Sequence, residues 1–196
     1  MKRILVTGFD PFGGQPVNPA REAVLRLPDT VGGYEIAKLE IPTVFGLAAE
    51  TVLKVAEELR PHAILCVGQA GGRSAVTPEV VGINLREASG PDNAGNIPVN
   101  TPVIENAPAA YFATLPVRDM VRAVKERGIP CALSYTAGTF VCNDLLYTLL
   151  HRYCDTDVRV GFVHIPYLPE QAGEGVPSME LNTVAEALTA MIGAMS

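Results

Sequence analysis

The stretch that decides the fold is residues 46–68, GLAAETVLKVAEELRPHAILCVG. Its first part predicts an amphipathic helix over residues 46–60, because apolar residues recur there at the spacing of one helix face. The members of this stripe are Ala48, Val52, Val55, Ala56 and Leu59. Residues 62–68 form an almost continuous apolar run, typical of a strand that is covered on both faces. The stretch therefore indicates a helix that leads into a buried, parallel strand.

The same alternation of strands and helices continues on both sides. Further strands are predicted over residues 2–8, 34–41, 81–85, 131–135 and 158–164. Further helices are predicted to begin at Asn18 and Pro19, near Pro116, at Cys142 and near Ser178. A long loop, rich in Gly, Pro and Asn, is expected over residues 87–107. This order predicts one α/β domain spanning residues 1–196, a three-layer α/β/α sandwich with a largely parallel, twisted central sheet.

The composition excludes several classes of protein. With 48% hydrophobic and 18% charged residues, the chain of 196 residues has ample material for a core and is not disordered. A formal net charge of -6 provides no basic field, so we expect no nucleic acid partner. No apolar run is long enough for a signal peptide or a membrane span, and we therefore expect a cytoplasmic protein that does not bind membranes.

Among the four cysteines, only Cys142 lies at a predicted strand-to-helix junction on the carboxyl side of the sheet. A helix N-terminus favours the thiolate form that a nucleophile needs. Taken alone, Cys142 is equally compatible with a buried residue at the start of a helix. The four cysteines are expected to be free thiols, and none has the spacing of a metal ligand, so neither a metal ion nor a cofactor is expected.

His164 ends a predicted strand and is the histidine expected at the same edge as Cys142. The two residues are therefore a candidate nucleophile and base. Three carboxylates could orient the imidazole. Glu79 is preferred because a charge at the start of an apolar strand is costly unless it is paired. Asp92 is expected to be exposed, and Asp144 is expected to compensate the helix dipole.

Two kinds of loop residue suggest a ligand pocket at this edge. Four apolar residues, Phe9, Phe12, Phe140 and Val141, fall in or beside loops expected there, and they either line a pocket or anchor the loops. The Gly-rich segment 68–74 lacks the lysine and spacing of a phosphate-binding loop, and close backbone approach to a small neutral ligand fits it equally well.

Five motifs together resemble the type I pyroglutamyl peptidases, also called pyrrolidone-carboxylate peptidases, over nearly the whole chain. They are Thr7-Gly8-Phe9-Asp10-Pro11-Phe12-Gly13-Gly14, Gly68-Gln69-Ala70-Gly71-Gly72-Arg73, Thr77-Pro78-Glu79, Thr139-Phe140-Val141-Cys142-Asn143 and Val163-His164-Ile165-Pro166. The resemblance implies a cytosolic cysteine peptidase that removes N-terminal pyroglutamate from peptides. It further implies a homotetramer.

By the same resemblance, Cys142 is the nucleophile, His164 the proton carrier and Glu79 the orienting acid. It also implies a pocket for the pyroglutamyl ring. Its walls would be Phe9, Phe12, Phe140, Val141 and Thr43, and Gln69 would be a hydrogen-bond partner of the lactam.

One departure from the family concerns the oxyanion site. Many members have an arginine where this chain has Ser89, which brings no positive charge. This predicts either a weaker oxyanion site or replacement of that arginine by Arg86 or Arg73. Two other functions stay open on the residues alone: a nucleoside phosphorylase-like transferase and a non-catalytic binding protein on the same scaffold.

Overall fold

The computed structural model describes residues 1–195 and contains a central sheet between two layers of helices. The strands are β1 (Lys2–Phe9), β2 (Thr30–Val31), β3 (Tyr34–Ile41), β4 (Ala63–Gln69), β5 (Thr77–Pro78), β6 (Val81–Ile83), β7 (Ala110–Phe112) and β8 (Arg159–Ile165). The helices are α1 (Pro19–Leu25), α2 (Leu47–Leu59), α3 (Val117–Lys125), α4 (Val141–Tyr153) and α5 (Leu181–Gly193).

The six-stranded sheet has the order β2-β3-β1-β4-β8-β5. Strands β3, β1, β4 and β8 are parallel, and the short strands β2 and β5 pair antiparallel at the two edges. Because the four central strands are parallel, their carboxyl ends lie at one edge of the sheet. In this register Gly68 near the end of β4 lies opposite His164 near the end of β8.

Each face of the sheet carries its own apolar core. Successive strand residues alternate between the faces, so that Ile4 and Val6 contact the core under α1, α3 and α5. Leu5 contacts the opposite core under α2 and α4, together with Ile64 and Cys66. This arrangement confirms the predicted three-layer α/β/α sandwich with a largely parallel sheet.

The helix and strand boundaries follow local sequence signals. Asn18 caps α1, its side-chain oxygen accepting a hydrogen bond from the Ala20 amide at 3.0 Å, and Pro19 takes the first helical position. Strand β3 covers the predicted residues Tyr34–Ile41. No helix within residues 1–195 is both long and apolar enough to cross a membrane.

Two predicted strands differ from the structure. Residues 131–135 form two isolated parallel bridges rather than a strand, because Pro78 has no N–H at the position where the ladder would continue. The bridges join Val76 to Cys131 and Glu79 to Ser134. The predicted strand over residues 81–85 is shorter and pairs with β7 in a separate two-stranded sheet.

Candidate active site

The first turn of α4 places the thiol of Cys142 over the carboxyl end of β4. A Cβ atom added to Gly68 would lie 3.1 Å from Sγ of Cys142 and 2.7 Å from the ring of Phe162. Gly68 lies opposite His164 on the neighbouring strand. The structure therefore brings the half-buried thiol and His164 to the same edge of the sheet, as the sequence predicted.

His164 and Glu79 form a buried pair at this edge. Nδ1 of the imidazole lies 2.7 Å from Oε1 of Glu79, and the two residues are 4% and 0% exposed. The backbone N–H of Glu79 donates to the carbonyl of Phe162 at 2.9 Å, which fixes the carboxylate residue against β8. Because the carboxylate occupies Nδ1, Nε2 is the ring nitrogen left for a substrate or a thiol.

Arg73 adds a positive charge to this pair. One of its guanidinium nitrogens donates to Oε1 of Glu79 at 2.8 Å and to the hydroxyl of Thr77, and the other donates to the carbonyl of Thr136 at 3.1 Å. The carboxylate oxygen that His164 contacts is therefore also the one that Arg73 contacts. Arg73 therefore contacts the partner of the imidazole, and its replacement of the family's oxyanion arginine stays a prediction.

Burial and charge set the protonation states of the site. Burial raises the pKa of the Cys142 thiol to about 12, the negative charge of Glu79 adds to the rise, and Arg73 opposes it. Burial lowers the pKa of His164 below 6.5, against the effect of Glu79 and with the help of Arg73. Burial alone would raise the pKa of Glu79, but the hydrogen bond and charge of His164, together with hydrogen bonds from Ser134 and Arg73, outweigh it, and the pKa is lowered below 4.5.

At neutral pH the free site therefore holds a thiol, a neutral imidazole and a carboxylate. The lowering of the Cys142 pKa expected from the helix N-terminus is outweighed by burial.

A cleft of about 700 Å³ opens beside the start of α4. The predicted wall residues Phe12 and Phe140 line it, with their ring centroids 5.3 Å apart. Phe45 packs edge-on against Phe140 with a centroid distance of 5.1 Å and supports that wall from behind. Ser89 also lines the cleft and is exposed.

The other predicted pocket residues are less accessible. Phe9 and Val141 are 2% and 0% exposed and belong to the core under α2 and α4. Thr43 is buried, and its hydroxyl donates to Asp10 at 2.7 Å. Gln69 ends β4 and is half-buried. Their roles toward a substrate stay predictions.

One expectation about the carboxylates is wrong, and another is incomplete. Asp92 is 5% exposed rather than exposed, because its side chain accepts hydrogen bonds from the backbone of Phe45, Ala94 and Asn96 and so organises the long loop. Asp144 is fully buried and does more than compensate the helix dipole.

Asp144 accepts a hydrogen bond from Arg86 at 2.6 Å and from the Gly46 amide at 2.8 Å. This ion pair was missed by the sequence analysis, since a loop arginine and a helix aspartate far apart in the chain carry no shared pattern. The ion pair also involves Arg86, the second arginine that the sequence suggested for the oxyanion site, and that role stays a prediction.

The site also lacks the features of a metal centre. No group of three or more His, Cys, Asp or Glu side chains within residues 1–195 could hold a metal ion.

A thiol at a helix N-terminus, beside an imidazole held by a buried carboxylate, is the arrangement of a cysteine-type hydrolase. Comparison with known proteins narrows this class. A profile of the pyroglutamyl peptidase family matches residues 2–196. The chain therefore belongs to the pyroglutamyl peptidase family.

Individual relatives agree with the family match. The chain is 50% identical to the pyrrolidone-carboxylate peptidase of Escherichia fergusonii, over 100% of this chain and 94% of the relative. It is 49% identical to that of Enterococcus faecalis, over 98% of this chain and 92% of the relative. The crystal structure of pyroglutamyl peptidase I from Bacillus amyloliquefaciens superposes with a TM-score of 0.96 at 45% identity, over 100% of this chain and 97% of that chain.

Proposed function

We propose that Cys142, His164 and Glu79 carry out the reaction of this pyroglutamyl peptidase, the hydrolysis of the bond after an N-terminal pyroglutamyl residue. The observation that carries this assignment is the 2.7 Å contact between His164 and Glu79, buried at the sheet edge where Cys142 lies. Family membership makes the protein a cysteine peptidase. The phosphorylase-like and non-catalytic alternatives are not favoured.

A protonated thiol beside a neutral imidazole supports general-base catalysis during the attack rather than a preformed thiolate. Nε2 of His164 accepts the thiol proton as Sγ of Cys142 attacks the acyl carbonyl. The backbone N–H of Cys142, at the start of α4, helps to hold the oxyanion. The imidazolium then protonates the leaving amine, and a thioester remains on Cys142.

Water completes the reaction. His164, again neutral, takes a proton from a water molecule that attacks the thioester carbonyl. The C–S bond then breaks, the imidazolium returns the proton to Sγ of Cys142, and pyroglutamate leaves as the free acid. Throughout, Glu79 stabilises the imidazolium and keeps its Nδ1 side fixed.

The pocket proposal rests on the chemistry of the substrate. Pyroglutamate is a lactam without a free amine, so its site needs apolar walls and amide partners rather than a carboxylate. Phe12 and Phe140 supply the walls of the cleft, Phe9, Thr43 and Val141 support them, and Gln69 offers an amide to the lactam. The volume of about 700 Å³ leaves room for residues that follow the pyroglutamyl ring.

We further propose a cytoplasmic homotetramer. The free cysteines among residues 1–195, Cys66, Cys131, Cys142 and Cys154, suit a reducing compartment. Ile97 and Val99 of the long loop are 54% and 65% exposed, which suits a contact with another copy of the chain. Light scattering in solution would give the mass of the assembly.

The assignment of the nucleophile is tested by release of a chromophoric amine from a pyroglutamyl amide under reducing conditions. The wild type should cleave this amide and leave the matching prolyl amide intact. Cys142→Ala should lower kcat by about 10³-fold or more, because no other group replaces the attacking sulfur. Cys154→Ala removes an exposed thiol outside the site and is the matched control. Full activity of a folded Cys142→Ala variant would refute the assignment.

A further inference from the structure

The guanidinium group of Arg73 lies at the centre of the hydrogen bonds that hold His164. It binds Oε1 of Glu79 at 2.8 Å, and the same oxygen binds Nδ1 of His164 at 2.7 Å. It also binds the hydroxyl of Thr77. That hydroxyl donates a hydrogen bond to the backbone carbonyl of His164 at 3.3 Å. Thr77 also pairs with His164 in the sheet, as part of the antiparallel pairing of β5 with β8. Arg73 thus contacts one partner of the imidazole ring and one partner of its backbone.

The buried carboxylate needs such a donor. Glu79 is 0% exposed, and an isolated carboxylate at that depth would take up a proton. Oε2 of Glu79 has no hydrogen-bond partner within the described residues, so the donors on Oε1 carry most of the stabilisation of the charge, with a smaller contribution from the side chain of Ser134. Arg73 is the permanent cation among them, since His164 is charged only when protonated.

The charged and titratable groups around the imidazole come from three elements. Glu79 faces it from the segment after β5, Arg73 from the loop after β4, and the thiol of Cys142 approaches from α4 over Gly68. The carboxylate favours a protonated imidazole, and the guanidinium disfavours it. Arg73 therefore offsets part of the effect of the carboxylate that orients the ring.

We propose that Arg73 is a positioning residue of this active site, which fixes the carboxylate of Glu79 against the imidazole of His164. Because its positive charge lies beside the carboxylate oxygen that Nδ1 contacts, it also opposes protonation of the imidazole. The inference rests on the proposed roles of Cys142, His164 and Glu79. Arg73 touches no reacting atom in this scheme and acts through Glu79 and Thr77.

The test compares two arginines that pair with buried carboxylates. In the Arg73–Glu79 pair the side chains are 27% and 0% exposed, and in the Arg86–Asp144 pair they are 26% and 0% exposed. Arg73→Gln and Arg86→Gln therefore remove the same charge from similar ion pairs, of which the first alone contacts the partner of His164. The readout is kcat/KM against pH for the chromophoric pyroglutamyl amide.

Arg73→Gln should move the acidic limb of the profile to higher pH by about one unit, because loss of a nearby positive charge favours the imidazolium. Activity should accordingly fall more at pH 6 than at pH 8. Arg86→Gln should leave the midpoint of the acidic limb in place, whatever it does to the rate. Arg73→Lys cannot make all three contacts, but it keeps the positive charge. It should therefore restore the pH midpoint to near its wild-type value.

NMR titration of the His164 ring in the Cys142→Ala background measures the pKa of His164 directly, without an activity assay. The pKa of His164 should rise on adding Arg73→Gln and should stay in place on adding Arg86→Gln. An unchanged His164 pKa, or a rate loss equal at every pH, would overturn the proposal for Arg73. Retained activity in Cys142→Ala would instead overturn the assignment of the nucleophile.

Arg73→Met, which keeps the aliphatic stem, replaces Arg73→Gln if the latter does not fold. If neither variant folds, Arg73 is needed for the fold itself and the proposal is wrong.

Discussion

At the scale of single residues, the site depends on the lack of a side chain at Gly68. Gly68 leaves space at the end of β4 for the thiol of Cys142 and for the ring of Phe162. That ring in turn lies 4.7 Å, centroid to centroid, from the ring of His164. A methyl group at position 68 would therefore press on the thiol of Cys142 and, through Phe162, on the imidazole of His164.

Gly68→Ala should lower kcat on the pyroglutamyl amide by about 10-fold, since a misplacement of about 1 Å can cost about 10²-fold and the contact with Sγ demands a smaller shift. Gly173→Ala is the matched control, because its added Cβ would come no closer than 3.9 Å to Val176. Both variants are assayed beside the wild type after circular dichroism has established that they are folded. Wild-type kcat in Gly68→Ala would contradict the close contact with Sγ.

The sequence could predict which polar residues share an edge, because strand ends and helix starts follow from apolar periodicity. Cys142 and His164 were placed together in this way. The role of Arg73 could not be predicted, because its partner was one of several carboxylates and the loop that carries it has no periodic pattern. Burial of Asp92 was missed for a similar reason, since its hydrogen bonds are made to backbone groups.

At the scale of elements, the start of α4 is held in place by the two side chains that follow Cys142. Asn143 accepts from the amide of Ile83 at 2.9 Å and donates to the carbonyls of Ile83 and Leu85 at 2.9 and 3.0 Å. Asp144 joins the same turn to the start of α2 at Gly46 and to Arg86 at the base of the long loop. Hydrogen bonds therefore join α4, α2 and the long loop to one another beside the thiol.

Asp144→Asn should lower the free energy of unfolding by about 3 kcal/mol or more, because it leaves Arg86 without the charge that compensates it. The change is measured by urea unfolding. The double variant Asp144→Asn/Arg86→Gln should lose less than the sum of the two single variants, since they share one interaction. Additive losses would mean that the ion pair contributes little to the anchoring of α4.

The sequence predicted α4 and most of the other elements, but not how they are anchored. Residues 131–135 show the limit most clearly. Their apolar pattern is that of a strand, and their backbone follows residues 76–80, yet Pro78 removes one N–H and divides the pairing into two bridges. That interruption depends on a proline of the partner segment, which apolar periodicity within residues 131–135 cannot report.

At the scale of the whole molecule, each of the two apolar cores contains a buried, ionisable thiol. Burial raises the pKa of Cys66 to about 12 and that of Cys131 to about 11, and Cys142 at the site has a pKa raised to about 12. Cys66 lies in the core under α2 and α4, and Cys131 in the core under α1, α3 and α5. Both faces of the sheet therefore hold a thiol that ionises readily only after unfolding.

These thiols predict that the folded protein loses stability as the pH rises above 9. The unfolded state releases its thiol protons near pH 9.0, the ordinary pKa of a cysteine, whereas the folded state keeps them until the pH approaches 11 to 12, so raising the pH favours unfolding. At pH 10 each thiol should cost about 1.4 kcal/mol relative to pH 8. Urea midpoints under reducing conditions at the two pH values measure this loss. Cys131→Ala should show a smaller decrease between them than the wild type, and an equal decrease would exclude Cys131 as a source of the pH dependence.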